Sequence, residues 1–134
     1  MALQRRALGL PVEGRVGLVL FGGEGSRQML TIARNLPDVP LLLMCGRNER
    51  LAQRLRQLRP GSAARAVVGF SSAVAQYMQL ADFFIGKPGP GSLSEAVQMG
   101  LPCVVALNAR TLPQERYNAR WLADNGLGLT VPDF

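Results

Sequence analysis

Six short apolar runs constrain this chain more than any other feature: VGLVLF (16–21), PLLLMCG (40–46), AVVGF (66–70), FFIG (83–86), PCVVAL (102–107) and LGLTV (127–131). None approaches the ~20 residues that a membrane-crossing helix requires. They also lack the apolar/polar alternation of a half-exposed strand, so they read as strands buried on both faces. The segments between them carry helical spacing: Met29, Leu30, Ala33 and Leu36, then Leu51, Leu55 and Leu58 with Pro60-Gly61 as the stop. Residues 72–80 predict a helix opening at a serine cap, 92–99 a helix closed by Gly100, and 114–125 a helix stopped by Gly126. A short helical or linker start (3–10) ends at Pro11. Strand and helix in alternation predict a doubly wound, Rossmann-like α/β domain: a parallel sheet of about six strands with helices on both faces.

With 134 residues, 48% of them hydrophobic, one globular domain is expected, residues 16–134, preceded by a linker or N-terminal helix over 1–15. The first ten residues show no secretory h-region, so a soluble, unprocessed, cytoplasmic chain is expected. Because VPDF follows the last strand with no closing helix, the domain reads as truncated at its C-terminus and cut from something larger. Cys45 and Cys103 lie inside apolar runs without CxxC spacing, and the chain contains no histidine. Buried, reduced thiols are expected rather than a disulfide or a metal site. Without histidine, proton transfer must use Glu, Asp or a group outside the chain. The net charge of +6 is carried by arginine and the single lysine Lys87. Arg47, Arg50, Arg54, Arg56 and Arg59 cluster, as a solvated helix face or as a phosphate-binding or anionic-membrane face. With 6% aromatic residues and no zinc-finger spacing, no nucleic-acid partner is expected.

Glycine then concentrates where strands end: GGEGS after the first run, CGRN after the second and GKPGPGS after the fourth. In a doubly wound sheet these loops open on one rim, the rim where ligands bind. Glycines let backbone N–H groups approach a ligand, and a helix N-terminus adds partial positive charge. One such loop is an ordinary tight turn; three on one rim point to a phosphorylated ligand. The dinucleotide pattern GxGxxG fits poorly, since Gln28 stands at the third glycine and Arg47 where an NAD enzyme places an acid. Arg47 would tolerate a 2′-phosphate, which leaves an NADP-binding reductase open. A Walker A loop is excluded because Lys87 is followed by proline.

The order GGEGS, CGRN, VGF, KPGPGSLSEAVQMGLP and PQERYNARWLADNG resembles the C-terminal, donor-binding half of glycosyltransferase family 28 enzymes of the GT-B fold. Within that family it is similar to the monogalactosyldiacylglycerol synthases and the processive diacylglycerol glucosyltransferases. The resemblance implies a UDP-sugar site. Glu95 would hold the ribose hydroxyls, a task suited to a carboxylate facing a diol; its bland alternative is a first-turn glutamate complementing the helix dipole. Gly89, Gly91 and Ser92 would offer the diphosphate the start of a helix, with Ser92 also a plain N-cap. Gly23, Gly25 and Ser26 would line the diphosphate from the first loop, and Lys87 would neutralise a phosphate or stay solvated. Arg47 would face the nucleotide or pair with Glu49. Gly69 and Phe70 would meet the uracil, unless Phe70 is core filler. Gln114, Glu115 and Asn118 would read the sugar hydroxyls. Arg116 and Tyr117 depart from the smaller residues usual in the lipid synthases, which leaves the donor sugar open.

The reaction so implied is inverting and needs neither cofactor nor metal: an acceptor hydroxyl attacks the anomeric carbon and UDP leaves. The family carries its base and acceptor site on an N-terminal domain with no counterpart here. The expectation is a donor-binding domain inactive by itself, whose parent meets a lipid acceptor at the membrane surface, the alternatives being the reductase and a non-catalytic GT-B-like module.

Overall fold

A computed structural model describes residues 2–58 and 63–134. The second buried run needs a neighbour on each side and a cover on each face, and it has both. β2 (Leu41–Gly46) lies between β1 (Gly17–Leu20) and β3 (Arg65–Gly69), with residues 41–45 all buried. β4 (Phe83–Gly86), β5 (Cys103–Ala106) and β6 (Gly128–Val131) extend the sheet from the other edge of β1. The order is β3-β2-β1-β4-β5-β6, every pair parallel. This is the predicted doubly wound, Rossmann-like sheet, and the strand order reverses between β1 and β4.

Alternate residues of each central strand feed two cores. Val19, Leu41, Leu43 and Cys45 pack with α2 (Gln28–Asn35) and α3 (Glu49–Gln57), while Leu18, Leu20, Leu42 and Phe84 pack on the opposite face. There α4 (Val74–Met78), α5 (Pro90–Gln98) and α6 (Pro113–Asp124) contribute Met78, Leu93, Ala96, Ala119 and Leu122. Among the described residues Cys45 and Cys103 are buried free thiols, as expected, and burial pushes both up to about 11. Arg50, Arg54 and Arg56 are exposed on α3, the solvated alternative. Arg59 and the Pro60-Gly61 stop lie outside the described residues.

Two local expectations are corrected, and one left open is decided. The helix after β3 does not open at a Ser72 cap: it starts at Val74, and Ser71 Oγ instead accepts the Ala73 N–H at 3.0 Å in a local turn. The helix after β4 opens at Pro90, two residues before Ser92, since proline's missing N–H costs nothing at the first helical position. Of the helix and linker expected at the start of the chain, the helix is present, α1 (Ala2–Ala7), and its Arg5 is buried against the α4–β4 turn. At the other end Phe134 sets its ring edge-on against Phe21, with centroids 5.8 Å apart.

Candidate functional site

The carboxyl ends of β1, β4 and β5 open onto one rim. On that rim α5 starts with Gly89 at the N-cap and Pro90 in the first turn, and no side chain caps it. Leu93 N–H closes on the Gly89 carbonyl at 3.2 Å, which leaves the Gly91 and Ser92 amides as first-turn donors without an intrahelical acceptor. Gly89 is buried and Ser92 partly so. Ser92 is thus a first-turn residue, and the predicted N-cap role passes to Gly89. α6 repeats the design: Leu112 at the N-cap, Pro113 next, and again no capping side chain. Two neighbouring helices therefore present uncapped N-termini, each with partial positive charge, beside the switch point.

Between the β1–α2, β4–α5 and β5–α6 loops lies a groove of about 260 Å³ lined by Gly25, Ser26, Lys87, Arg110 and Glu115, among others. Lys87 Nζ stands 3.9 Å from Glu115 Oε2, and the Glu115 side chain is only 13% exposed. The pair joins the β4–α5 loop to α6 and holds one cation and one anion at the groove. Ser26 Oγ accepts the Gln28 N–H at 3.1 Å, starting α2. Gln114 is exposed, whereas Asn118 donates from Nδ2 to the Pro88 carbonyl at 3.0 Å and braces the β4–α5 loop from α6. Asn118 also borders, with Gly89, a second groove of about 240 Å³ between α5 and α6.

Glu95 is exposed one turn into α5, with no hydrogen-bond or ion-pair partner among the described residues. Its carboxylate is free where that of Glu115 is engaged. At the β2 and β3 ends the Arg47 guanidinium carbon sits 4.3 Å from the centroid of the Phe70 ring. Phe70 is 59% exposed, so it is not core filler, and Glu49 pairs with Arg56 at 3.5 Å instead of with Arg47. The stacked pair makes a flat surface on the rim. Gly69 ends β3 beside it.

The first glycine loop is fixed by the second. Gly23 carbonyl accepts the Arg47 N–H at 2.7 Å, and Asn48 Nδ2 donates to the Glu24 carbonyl at 3.0 Å. Gly46 makes this tie possible: its φ is +61°, and a Cβ there would run into the Gly23 backbone. The glycine-rich spacing CGRN signalled a turn, but not that Gly46 seats the loop across from it. Residue types alone also gave no sign of Arg110 or of the Arg116 contacts to the Asn108 and Thr111 carbonyls, both 2.9 Å. A larger cavity of about 760 Å³ lies away from this rim, among α2, α3 and β3. The arginine at its β3 wall, Arg65, is already committed to the Ala33 and Leu36 carbonyls.

An open parallel sheet whose switch point carries glycine loops, bare helix starts and the cations Lys87 and Arg110 belongs to the doubly wound α/β domains, which bind ligands at the strand ends. Within that class, residues 19–133 match the glycosyltransferase family 28 C-terminal domain, and the chain belongs to that family. Monogalactosyldiacylglycerol synthase of Spinacia oleracea is 33% identical over 135 residues, covering 92% of this chain and 25% of the relative. The corresponding synthase 1 of Arabidopsis thaliana matches equally. The chain thus spans about a quarter of the length of these curated relatives. Among solved structures, MurG of Acinetobacter baumannii superposes with a TM-score of 0.71 at 21% identity, over 96% of this chain and 39% of that one. The glycosyltransferase SnogD of Streptomyces nogalater gives 0.63 at 21%, over 90% and 32%. The fold is that of the C-terminal half of GT-B glycosyltransferases, as the sequence resemblance implied.

Proposed function

We propose that this chain is the donor-binding domain of a glycolipid-forming hexosyltransferase and that its ligand is a UDP-sugar. The observation that carries the reading is a groove that gathers Gly25, Ser26, Lys87 and Arg110 from three strand-end loops and Glu115 from α6, with the uncapped start of α5 following directly on the Lys87-Pro88 segment that lines it. Backbone amides of Gly91 and Ser92, at the helix start next to the Lys87-Pro88 wall of that groove, receive the diphosphate, with Gly23 and Gly89 shaping the loops around it. Phe70 and Arg47 give the base a stacking surface beside Gly69, and the unpaired Glu95 accepts the two ribose hydroxyls. Gln114 and Glu115 reach the sugar. Asn118 acts by holding the Pro88 carbonyl as well as by any contact of its own.

In the reaction an acceptor hydroxyl attacks the anomeric carbon, the bond to the β-phosphate oxygen breaks, and the acceptor's proton passes to a base outside these residues. This chain's part is to stabilise the charge gathering on the departing diphosphate, through N–H groups, helix dipoles and Lys87. No cofactor is required. Among the described residues no helix is long and apolar enough to cross a membrane, and we place the parent at the cytosolic membrane surface, where an acceptor domain presents a lipid. The curated relatives' names support the lipid acceptor.

The test is a thermal-shift panel of UDP, UDP-galactose, UDP-glucose, UDP-N-acetylglucosamine and NADP on this chain and on Glu95→Ala. UDP and at least one UDP-sugar should raise the melting temperature by linkage, NADP should not, and Glu95→Ala should lose most of the shift while melting as the parent does. A shift with NADP alone would sink the reading.

A further inference from the structure

The loop from β5 to α6, residues 107–112, is held far more closely than a connection needs. Asn108 N–H donates to Thr111 Oγ1 at 2.9 Å, Asn108 Oδ1 accepts the Arg110 N–H at 2.9 Å, and Asn108 Nδ2 donates to the Pro132 carbonyl at 2.8 Å. From α6, Arg116 closes the loop with two further bonds, Nε to the Thr111 carbonyl and Nη2 to that of Asn108, each 2.9 Å. Both forks of a rigid guanidinium on two carbonyls of one loop fix its path as a flexible ammonium would not.

The loop carries one charge, Arg110. Its guanidinium has no hydrogen-bond or ion-pair partner among the described residues, and the residue lines the groove opposite Lys87, Ser26 and Gly25. Lys87 spends part of its charge on Glu115. Arg110 is therefore the cation on this groove that is not yet paired. We propose that Arg110 is a further binding residue, meeting the terminal phosphate of a nucleoside diphosphate or its sugar ester, and that Arg116 is the positioning residue that fixes the loop carrying it. This rests on the nucleotide reading above and adds to it a second side-chain cation, supplied by α6's own loop.

Calorimetric titration of the 134-residue chain with UMP, UDP and UDP-galactose separates the possibilities, because UMP lacks the second phosphate. Arg110→Gln should weaken UDP and UDP-galactose about fivefold, the loss of a charge-assisted bond discounted for solvent exposure, and leave UMP within twofold. Arg116→Ala should lower the UDP-to-UMP affinity ratio in the same direction, and Arg116→Lys should recover part of it. An unchanged ratio in Arg110→Gln, with UDP still bound by the parent chain, overturns the role of Arg110 and leaves the nucleotide reading standing. Equal losses of UMP and UDP in Arg116→Ala overturn the positioning role. No UDP binding by the parent chain overturns the nucleotide reading and this inference with it.

Discussion

Gly46 shows how much of a ligand rim can depend on one residue that touches no ligand. Its left-handed backbone and the missing Cβ let the β2–α3 turn lie directly on Gly23, whose carbonyl takes the Arg47 N–H. A methyl group there meets backbone, which cannot swing aside as a side-chain tip can. Gly46→Ala should therefore cost more than the roughly 1–2 kcal/mol of the left-handed conformation alone, read as a lower urea midpoint with an unchanged slope. It should also weaken UDP, because Gly23 and Arg47 move with the turn; a variant as stable as the parent would remove the argument. The residues named from the motif could be singled out as candidates because glycine, lysine and carboxylate types suit phosphate and hydroxyl chemistry. Arg47 stacked on Phe70 was not legible, since a stack between two strand ends depends on register, and Arg116 looked like a departure from pattern until its two carbonyl partners were seen.

At the scale of elements, the start of α5 sets stability against binding. Strand and helix order were readable from the apolar runs, but the first turn was misplaced by two residues because proline reads as a breaker and is in fact well suited to the first helical position. Leaving the N-cap to a glycine forgoes only about a few tenths of a kcal/mol relative to an Asp or Ser cap. The Gly89 backbone, at φ −75° and ψ 151°, already has capping geometry. A Cβ there meets only the flexible Lys87 side chain, at 3.5 Å. Gly89→Asp should thus keep or raise the melting temperature, since its carboxylate can accept from the α5 amides and lies near Lys87. The same carboxylate would occupy the donors assigned to the diphosphate and repel it, so UDP affinity should fall at least tenfold, on the order of 1.4 kcal/mol. Undiminished UDP binding in a variant of raised stability would show that these amides are not where the phosphates go.

For the whole molecule, the ligand rim is held from the opposite end of the strands. Arg5, 3% exposed, donates from Nε to the Leu80 carbonyl at 2.9 Å, from Nη1 to that of Gly14 at 3.0 Å and from Nη2 to Asp82 at 3.0 Å. Asp82 Oδ2 also accepts the Val16 N–H at 2.8 Å, so one ion pair gathers α1, the approach to β1 and the approach to β4. Those are the two strands between which the sheet reverses its order. None of this was readable in the sequence: an arginine in a short polar helix looks solvated, and its partner lies 77 residues away. Removing Arg5 strands five acceptors, the Leu80, Pro11, Val12 and Gly14 carbonyls and Asp82, in a largely dry site, although Asp82, whose side chain is 41% exposed, recovers some hydration. Arg5→Ala should therefore cost about 2–3 kcal/mol, below the usual range for breaking a fully buried pair, and lower the melting temperature by roughly 10 °C. Arg5→Met, which keeps the apolar stem, should recover little, because the deficit is in hydrogen bonds. At a temperature where the variants remain folded, UDP affinity should stay within about twofold, well inside the tenfold that 1.4 kcal/mol represents. The anchor and the groove sit at opposite ends of the same strands and share no side chain. A loss of UDP affinity in step with the loss of stability would mean instead that α1 and the rim move as one unit, and that Arg5 shapes the site through the β1 and β4 strands it ties together.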